Sequence, residues 1–340
     1  MSDLFNKLLV LRTPGIGPAK YNKLLKQFGS LDEVVANLGV SDLHKDNVRS
    51  EMSRARELNI HYVTDTDVFY PDALRRIKNH PQVICARGNL ETLRKPMVSI
   101  VGTRHATAAG MGIAAEIANR FVQNGAAVVS GMAIGTDTAA HKGALRCDGV
   151  TQTVAVLAGG VDYIWPLENE GLYWDIVERG VVISEMPVGF VPVATNFVQR
   201  NRIVAGVCKT LILGEADMKS GSMTTARFAD DYGRELWAIP SHPSDSRAAG
   251  PNSLIRAGVA KLCMGPDDFF KMKKNDVKKM KNNKKNETEN NLIDALGTIP
   301  VSESVLTQVV KKTVSEIKSE LVVLELQGLV RKVDGGYVLN

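Results

Sequence analysis

Between residues 58 and 270, short apolar runs bounded by glycine alternate with stretches of helical periodicity. The runs are Val98–Val101, Ala127–Ser130, Val154–Leu157, Val181–Ser184, Thr210–Leu213 and Leu236–Ile239. Helical stretches such as Met111–Gln123, Thr138–Leu145 and Thr224–Tyr232 fall between them. Four-residue apolar runs without polar alternation belong to strands buried on both faces. Repeated strand–helix units then predict a parallel sheet with helices on each side.

This α/β core, Rossmann-like and extended, is flanked by two parts of different character. Residues 1–57 read as short helices around the turn Thr13-Pro14-Gly15-Ile16-Gly17-Pro18-Ala19-Lys20, with almost no strand pattern. That is a small SAM- or helix-hairpin-helix-like domain. Its Gly15-Ile16-Gly17 turn either holds a phosphate on backbone N–H groups or simply joins two helices tightly. Residues 291–340 regain helical periodicity and end in two β runs around Asp334-Gly335-Gly336, the pattern of a winged helix. Between lies a Lys/Asn-rich linker, 271–290, with too few apolar residues to order itself. A chain of 340 residues suits such a multi-domain division.

Charge narrows the mode of any nucleic-acid binding. The net charge is +5, and the linker alone carries eight lysines against three acids. The remainder is balanced, so phosphate binding must come from placed donors, not bulk charge. The C-terminal module has five basic residues against six acids, which favours a protein-interaction or regulatory role over duplex DNA. No apolar run reaches the roughly 20 residues of a membrane span, and Met1–Leu11 lacks a signal-peptide pattern; the chain reads as cytoplasmic. Cys85, Cys147, Cys208 and Cys263 are scattered, with no C-x-x-C pair, so neither a metal site nor a disulfide framework is expected.

Ligands of doubly wound sheets bind beyond the carboxyl ends of the strands. After the first run stands Gly102-Thr103-Arg104, where glycine permits close approach and the guanidinium fork suits phosphate; Arg104 is equally a surface arginine after a turn. After the second stands Ser130-Gly131-Met132, whose N–H groups suit an anion at a helix start. Asp137 reads as that helix's cap, and a pairing with His141 for acid–base chemistry is the weaker alternative. Phe197 followed by Arg200-Asn201-Arg202 fits nucleic acid, arginine on the backbone and phenylalanine on a base. The alternative pairs Arg202 internally with Glu185. Lys219-Ser220-Gly221-Ser222-Met223-Thr224 opens another helix as an anion site. Neither a Walker A loop nor G-x-G-x-x-G is present at these points. Several phosphate-binding loops without either fingerprint point to a polyphosphate backbone, with no cofactor and no catalytic residue.

Taken in series, Val101-Gly102-Thr103-Arg104, Ser130-Gly131-Met132-Ala133 with Asp137 and His141, Phe197 with Arg200-Asn201-Arg202, and Ser220-Gly221-Ser222-Met223-Thr224-Thr225 strongly resemble the DNA-processing protein A family (DprA, or Smf). Asp67–Leu74 and Gly250–Ile255 fit as well, so the resemblance covers roughly residues 60–265. It implies a single-stranded DNA-binding protein, not an enzyme, that protects incoming DNA in natural transformation, loads the RecA recombinase and works as a homodimer. It also implies that Arg104 contacts phosphate and that Phe197 lies near the bound strand. The sequence departs from the family's pattern at Ala194, where a lysine is frequent, at Ile134 and Thr136, and at Pro240-Ser241-His242. The rival readings are a nucleotide-hydrolysing enzyme and a winged-helix regulator of duplex DNA. Against the first, Ala158-Gly159-Gly160-Val161-Asp162 lacks the Thr and Glu of the P-G-G-x-G-T-x-x-E hydrolase loop.

Overall fold

All six apolar runs form strands in the computed structural model, each within one residue of the expected limits. The structure describes residues 3–149, 151–270, 292–297 and 300–339. The Lys-rich segment 271–290 lies outside them. Two compact units divide after Phe270.

The first unit opens with four helices, α1 (Asp3–Leu11), α2 (Pro18–Phe28), α3 (Leu31–Leu38) and α4 (Asp42–Glu57). Their limits follow from local chemistry. Ser30 and Ser41 accept the N–H of Glu33 and His44 at the starts of α3 and α4. Gly29 and Gly39 end α2 and α3 with positive φ.

Nine strands then form one sheet: β1 (His61–Thr64), β2 (Val83–Gly88), β3 (Met97–Val101), β4 (Ala127–Ser130), β5 (Thr153–Val156), β6 (Val181–Ser184), β7 (Thr210–Leu213), β8 (Glu235–Ala238) and β9 (Lys261–Leu262). Their spatial order is β1-β2-β6-β5-β4-β3-β7-β8-β9. From β6 to β9 every neighbouring pair is parallel. The sheet is extended at one edge by β1 and β2, which run antiparallel. These two strands were not anticipated. Only a single helical turn, α5 (Asp72–Arg75), lies between them, too little for the crossover a parallel pair needs.

Helices α6 (Ala108–Gln123), α7 (Thr136–Ala144) and α8 (Glu170–Arg179) cover one face; α9 (Ala194–Gly206) and α10 (Gly221–Asp231) cover the other, and α11 (Ala249–Arg256) packs beyond β7 and β8. The two-residue period of the strands sorts their side chains. Val98 and Ile100 of β3 pack with α6 and α7, whereas Met97 and Val101 join Ile203, Val204, Met223 and Ala226 of α9 and α10. Ser99, on the α9 side, donates its Oγ–H to the Val204 carbonyl at 2.6 Å.

This order reverses between β3 and β7. From β3 the chain steps outward through β4, β5 and β6, then returns to the other side of β3 as β7. The crevice at the carboxyl ends of β3 and β7 is therefore the topological switch point, where such sheets bind ligands.

The second unit is a winged helix. Helices α12 (Glu303–Val310) and α13 (Val314–Leu326) pack Leu306, Ile317 and Leu321 against Val330. The wing pairs β10 (Val330–Val333) with β11 (Gly336–Leu339) around Asp334-Gly335. Gly335 and Gly336 both take positive φ there, and Val301 bridges Tyr337 to extend the hairpin.

Candidate functional site

A cleft of about 430 Å³ opens at the switch point. It is lined by Gly102, Thr103 and Arg104 after β3, Gly131 after β4, Phe197, Arg200 and Asn201 of α9, and Lys219, Ser220, Gly221 and Ser222 before and within α10. Val101, His105, Ala133, Asp137, Val198, Val204, Asp217 and Thr225 complete the wall. Eleven of the fifteen residues expected from sequence thus meet in one place. Ser130, Met132, Arg202 and Thr224 do not line it.

Arg104 is the exposed cation of the cleft's β3 side. Among the described residues no carboxylate pairs with it. Its guanidinium instead stands 5.1 Å from the centre of the Trp165 ring and 6.0 Å from that of Phe197. The two rings meet edge to face with centroids 4.6 Å apart. Aromatic faces hold a guanidinium without neutralising it, so the donors of Arg104 remain free. Trp165 sits in the loop after β5 and was not counted among the expected site residues. A tryptophan beside Gly159-Gly160 was the available signal, but only the fold carries it to Phe197.

Opposite, α10 begins inside the cleft. Ser220 caps it, accepting the Ser222 N–H at 3.3 Å, while the two hydroxyls share a 2.7 Å hydrogen bond. Lys219 stands exposed beside this start, its own N–H turned to Asp217. The positive end of an eleven-residue helix and a free lysine together favour an anion here.

The loop after β4 departs from expectation. Its N–H groups were expected to be free for an anion. Those of Gly131 and Ala133 are instead taken by the Asp137 carboxylate, at 3.1 and 3.3 Å. Asp137 is therefore not the cap of α7, which starts at Thr136 after Gly135; its buried carboxyl group folds the preceding loop. Burial raises its pKa, opposed by the charge of Arg200. Ser130 is wholly buried and donates to the Ile100 carbonyl at 2.6 Å, and Met132 packs into the core under α8. His141 does not face Asp137. It is buried, with Nδ1 2.7 Å from the Thr153 hydroxyl.

Both arginines of Arg200-Asn201-Arg202 serve the fold. Arg200 forms the floor of the cleft, donating to the carbonyls of Gly131 and Val156. Burial lowers its pKa to about 10. Arg202 points away, pairing with Glu185 and donating to the Asn79 carbonyl at 3.2 Å. Asn201 remains at the cleft, bonded to the Gly221 carbonyl at 3.3 Å. Thr224 projects from α10 away from the cleft wall.

Another ligand class fits this frame poorly. A dinucleotide's pyrophosphate sits at the start of the helix that follows the first strand. Here the Glu215 carboxylate fills that start, accepting the Thr107 N–H at 2.7 Å and the Thr107 hydroxyl. In the loop after β5, the Asp162 carboxylate is engaged by the Gly189 N–H at 2.7 Å and by Arg54 at 2.9 Å. Among the described residues no group of His, Cys, Asp or Glu is placed to hold a metal ion.

Comparison with known proteins agrees with this geometry. Residues 61–274 match the family model of DNA recombination-mediator protein A, and residues 278–336 match that of the DprA winged helix domain. The chain is 36% identical over 208 residues to Protein Smf of Synechocystis, a match that covers 60% of this chain and 52% of that protein. It thus spans about half the length of that relative. DNA processing protein A of Streptococcus pneumoniae superposes with a TM-score of 0.68 at 29% identity, over 80% of this chain and all of the other. DNA processing protein A of Helicobacter pylori, whose structure concerns its single-stranded DNA binding mode, superposes with a TM-score of 0.56 at 30% identity, over 62% of this chain and 94% of the other.

Proposed function

Because this chain belongs to the DNA recombination-mediator protein A family of DNA-processing proteins, we propose that it binds single-stranded DNA across the carboxyl ends of β3 and β7. The observation that carries this reading is Arg104, exposed, without a carboxylate partner among the described residues and seated on Trp165 and Phe197. A guanidinium beside two aromatic rings offers a phosphate contact and a stacking surface at one point, as single-strand grooves require. The start of α10 with Lys219 offers a second phosphate contact across the cleft. Gly102 supports it from below: a Cβ there would meet the Thr136 hydroxyl at 2.4 Å, so the β3 loop must run close to α7.

Backbone contacts carry no sequence information, so discrimination between sequences is small. The protein works by binding, not by catalysis. The remaining roles follow from the family: protection of incoming DNA in transformation, delivery of the strand to the RecA recombinase, a homodimeric assembly and a cytoplasmic location. Among the described residues no helix is long and apolar enough to cross a membrane. The same proposal divides the chain into a helical module (1–57), the core (58–270), a Lys/Asn-rich joining segment (271–290) and the winged helix (291–340).

A gel-shift comparison of one oligonucleotide in single- and double-stranded form tests this directly. Retention of the single strand in preference to the duplex is expected. Equal or stronger binding of the duplex would overturn the reading in favour of the winged helix.

A further inference from the structure

A second cleft, of about 750 Å³, lies between the start of α2 and the far end of α10. Its rim carries Lys20, Arg76 and Lys78, all exposed. Among the described residues none of the three has an ion-pair or side-chain hydrogen-bond partner. Two further arginines line it: Arg202, paired with Glu185, and Arg234, which donates to the carbonyls of Ala73 and Gly206 at 2.8 Å. The single lining carboxylate is Asp231. Phe228 and Tyr232 form one wall, stacked within 15° of parallel and 6.0 Å apart. Helix α2 opens into the cleft at Gly17-Pro18 with no side chain capping it. Four cations without an acidic partner against one acid, beside two half-buried rings, is the composition of a single-strand groove.

The two clefts share their walls. From α9, Val198 and Asn201 face the first, while Arg202, the next residue, faces the second. From α10, Ser222 and Thr225 line the first; Phe228 and Tyr232 line the second. These four share one helix face, and ten residues of α-helix span about 15 Å. That distance suits a few nucleotides of extended strand.

We infer that a strand held at Arg104 continues along α10 into this second cleft, where Lys20, Arg76 and Lys78 hold its phosphates and Phe228 and Tyr232 face its bases. The helical N-terminal module thereby becomes part of the nucleic-acid surface. This inference rests on the reading of the first cleft, so its test separates the two.

The probe is an oligothymidylate in two lengths, about 4 and about 16 nucleotides, the range of single-strand grooves. The triple variant K20A/R76A/K78A changes only exposed side chains. It is expected to bind the long strand on the order of tenfold more weakly, with a salt slope smaller by about 2, and to bind the short strand as the wild type does. Photocrosslinking of an iodouracil-substituted long strand is expected to label Tyr232 or Phe228. Unchanged binding of the long strand, or an equal loss at both lengths, overturns the second cleft. Arg104→Ala reports on the first cleft by itself. If that variant binds both lengths normally, the first reading fails, and a loss in the triple variant confined to the long strand still supports the second surface.

Discussion

Arg200 fills the space above the Cα of Gly131: a side chain at 131 would place its Cβ 2.7 Å from the Arg200 Cζ. The guanidinium donates to the carbonyls of Gly131 and Val156, and its charge faces the buried Asp137. One buried arginine thus ties β4, β5 and α9 together beneath the cleft. Arg200→Ala strips the buried carbonyls of Gly131 and Val156 of their donor and Asp137 of the charge that faces it, and a loss of about 3 kcal/mol in urea unfolding is expected. A variant of wild-type stability that failed to bind DNA would instead place Arg200 at the strand.

Phe197 and Trp165 stand on the other side of this balance. Both are half-buried at the cleft edge, and their removal empties surface rather than core. Phe197→Ala and Trp165→Ala are each expected to weaken single-strand binding by about 1–3 kcal/mol. Intrinsic tryptophan fluorescence should report binding in the wild type and lose that response in Trp165→Phe. A full response in that variant would place the strand away from Trp165.

Glu215 closes the start of α6 from outside the helix, through the N–H and hydroxyl of Thr107. Glu215→Ala removes both bonds and a favourable charge at a helix N-terminus. A destabilisation of about 1–2 kcal/mol is expected, measured by thermal or urea unfolding. No change would mean that the helix start is satisfied by other groups.

His141 makes stability depend on pH. The Thr153 hydroxyl spends its proton on the Val128 carbonyl, so it accepts from Nδ1–H of His141, and Nε2 is left unprotonated and, among the described residues, without a partner. Burial lowers the pKa of the imidazole to about 3. The unfolded chain takes up this proton near the ordinary histidine pKa of about 6.5 while the folded one does not, so stability is full above that value and falls as pH drops from it towards 3. His141→Gln should flatten that slope in urea unfolding between these limits. An unchanged slope would assign it to other groups.

The sheet was legible because its parallel strands are unbroken apolar runs bounded by glycine. The antiparallel pair β1 and β2 was not, since its signal was one short run, Val83–Ala86, without a helix behind it. At the site, Gly102, Arg104 and the Ser220 cap could be read locally, from a strand end and a helix start. What could not be read was where partners come from. Asp137 takes the N–H groups of Gly131 and Ala133 only because α7 folds back over its own loop. Arg200 is spent on carbonyls of two other strands. Arg202 meets Glu185 from the end of β6, as one of the two alternatives allowed. Trp165 reaches Phe197 from a separate crossover.

Arg104 is the proposed phosphate contact that the fold leaves free. The affinity of the wild type and Arg104→Ala for a single-stranded oligonucleotide, measured across a salt series, tests this most directly. Weaker binding is expected, with a salt dependence reduced by about 0.7 in slope, the value of one lost phosphate contact on a single strand. Equal affinity and equal slope would contradict it and move the strand away from the ends of β3 and β7.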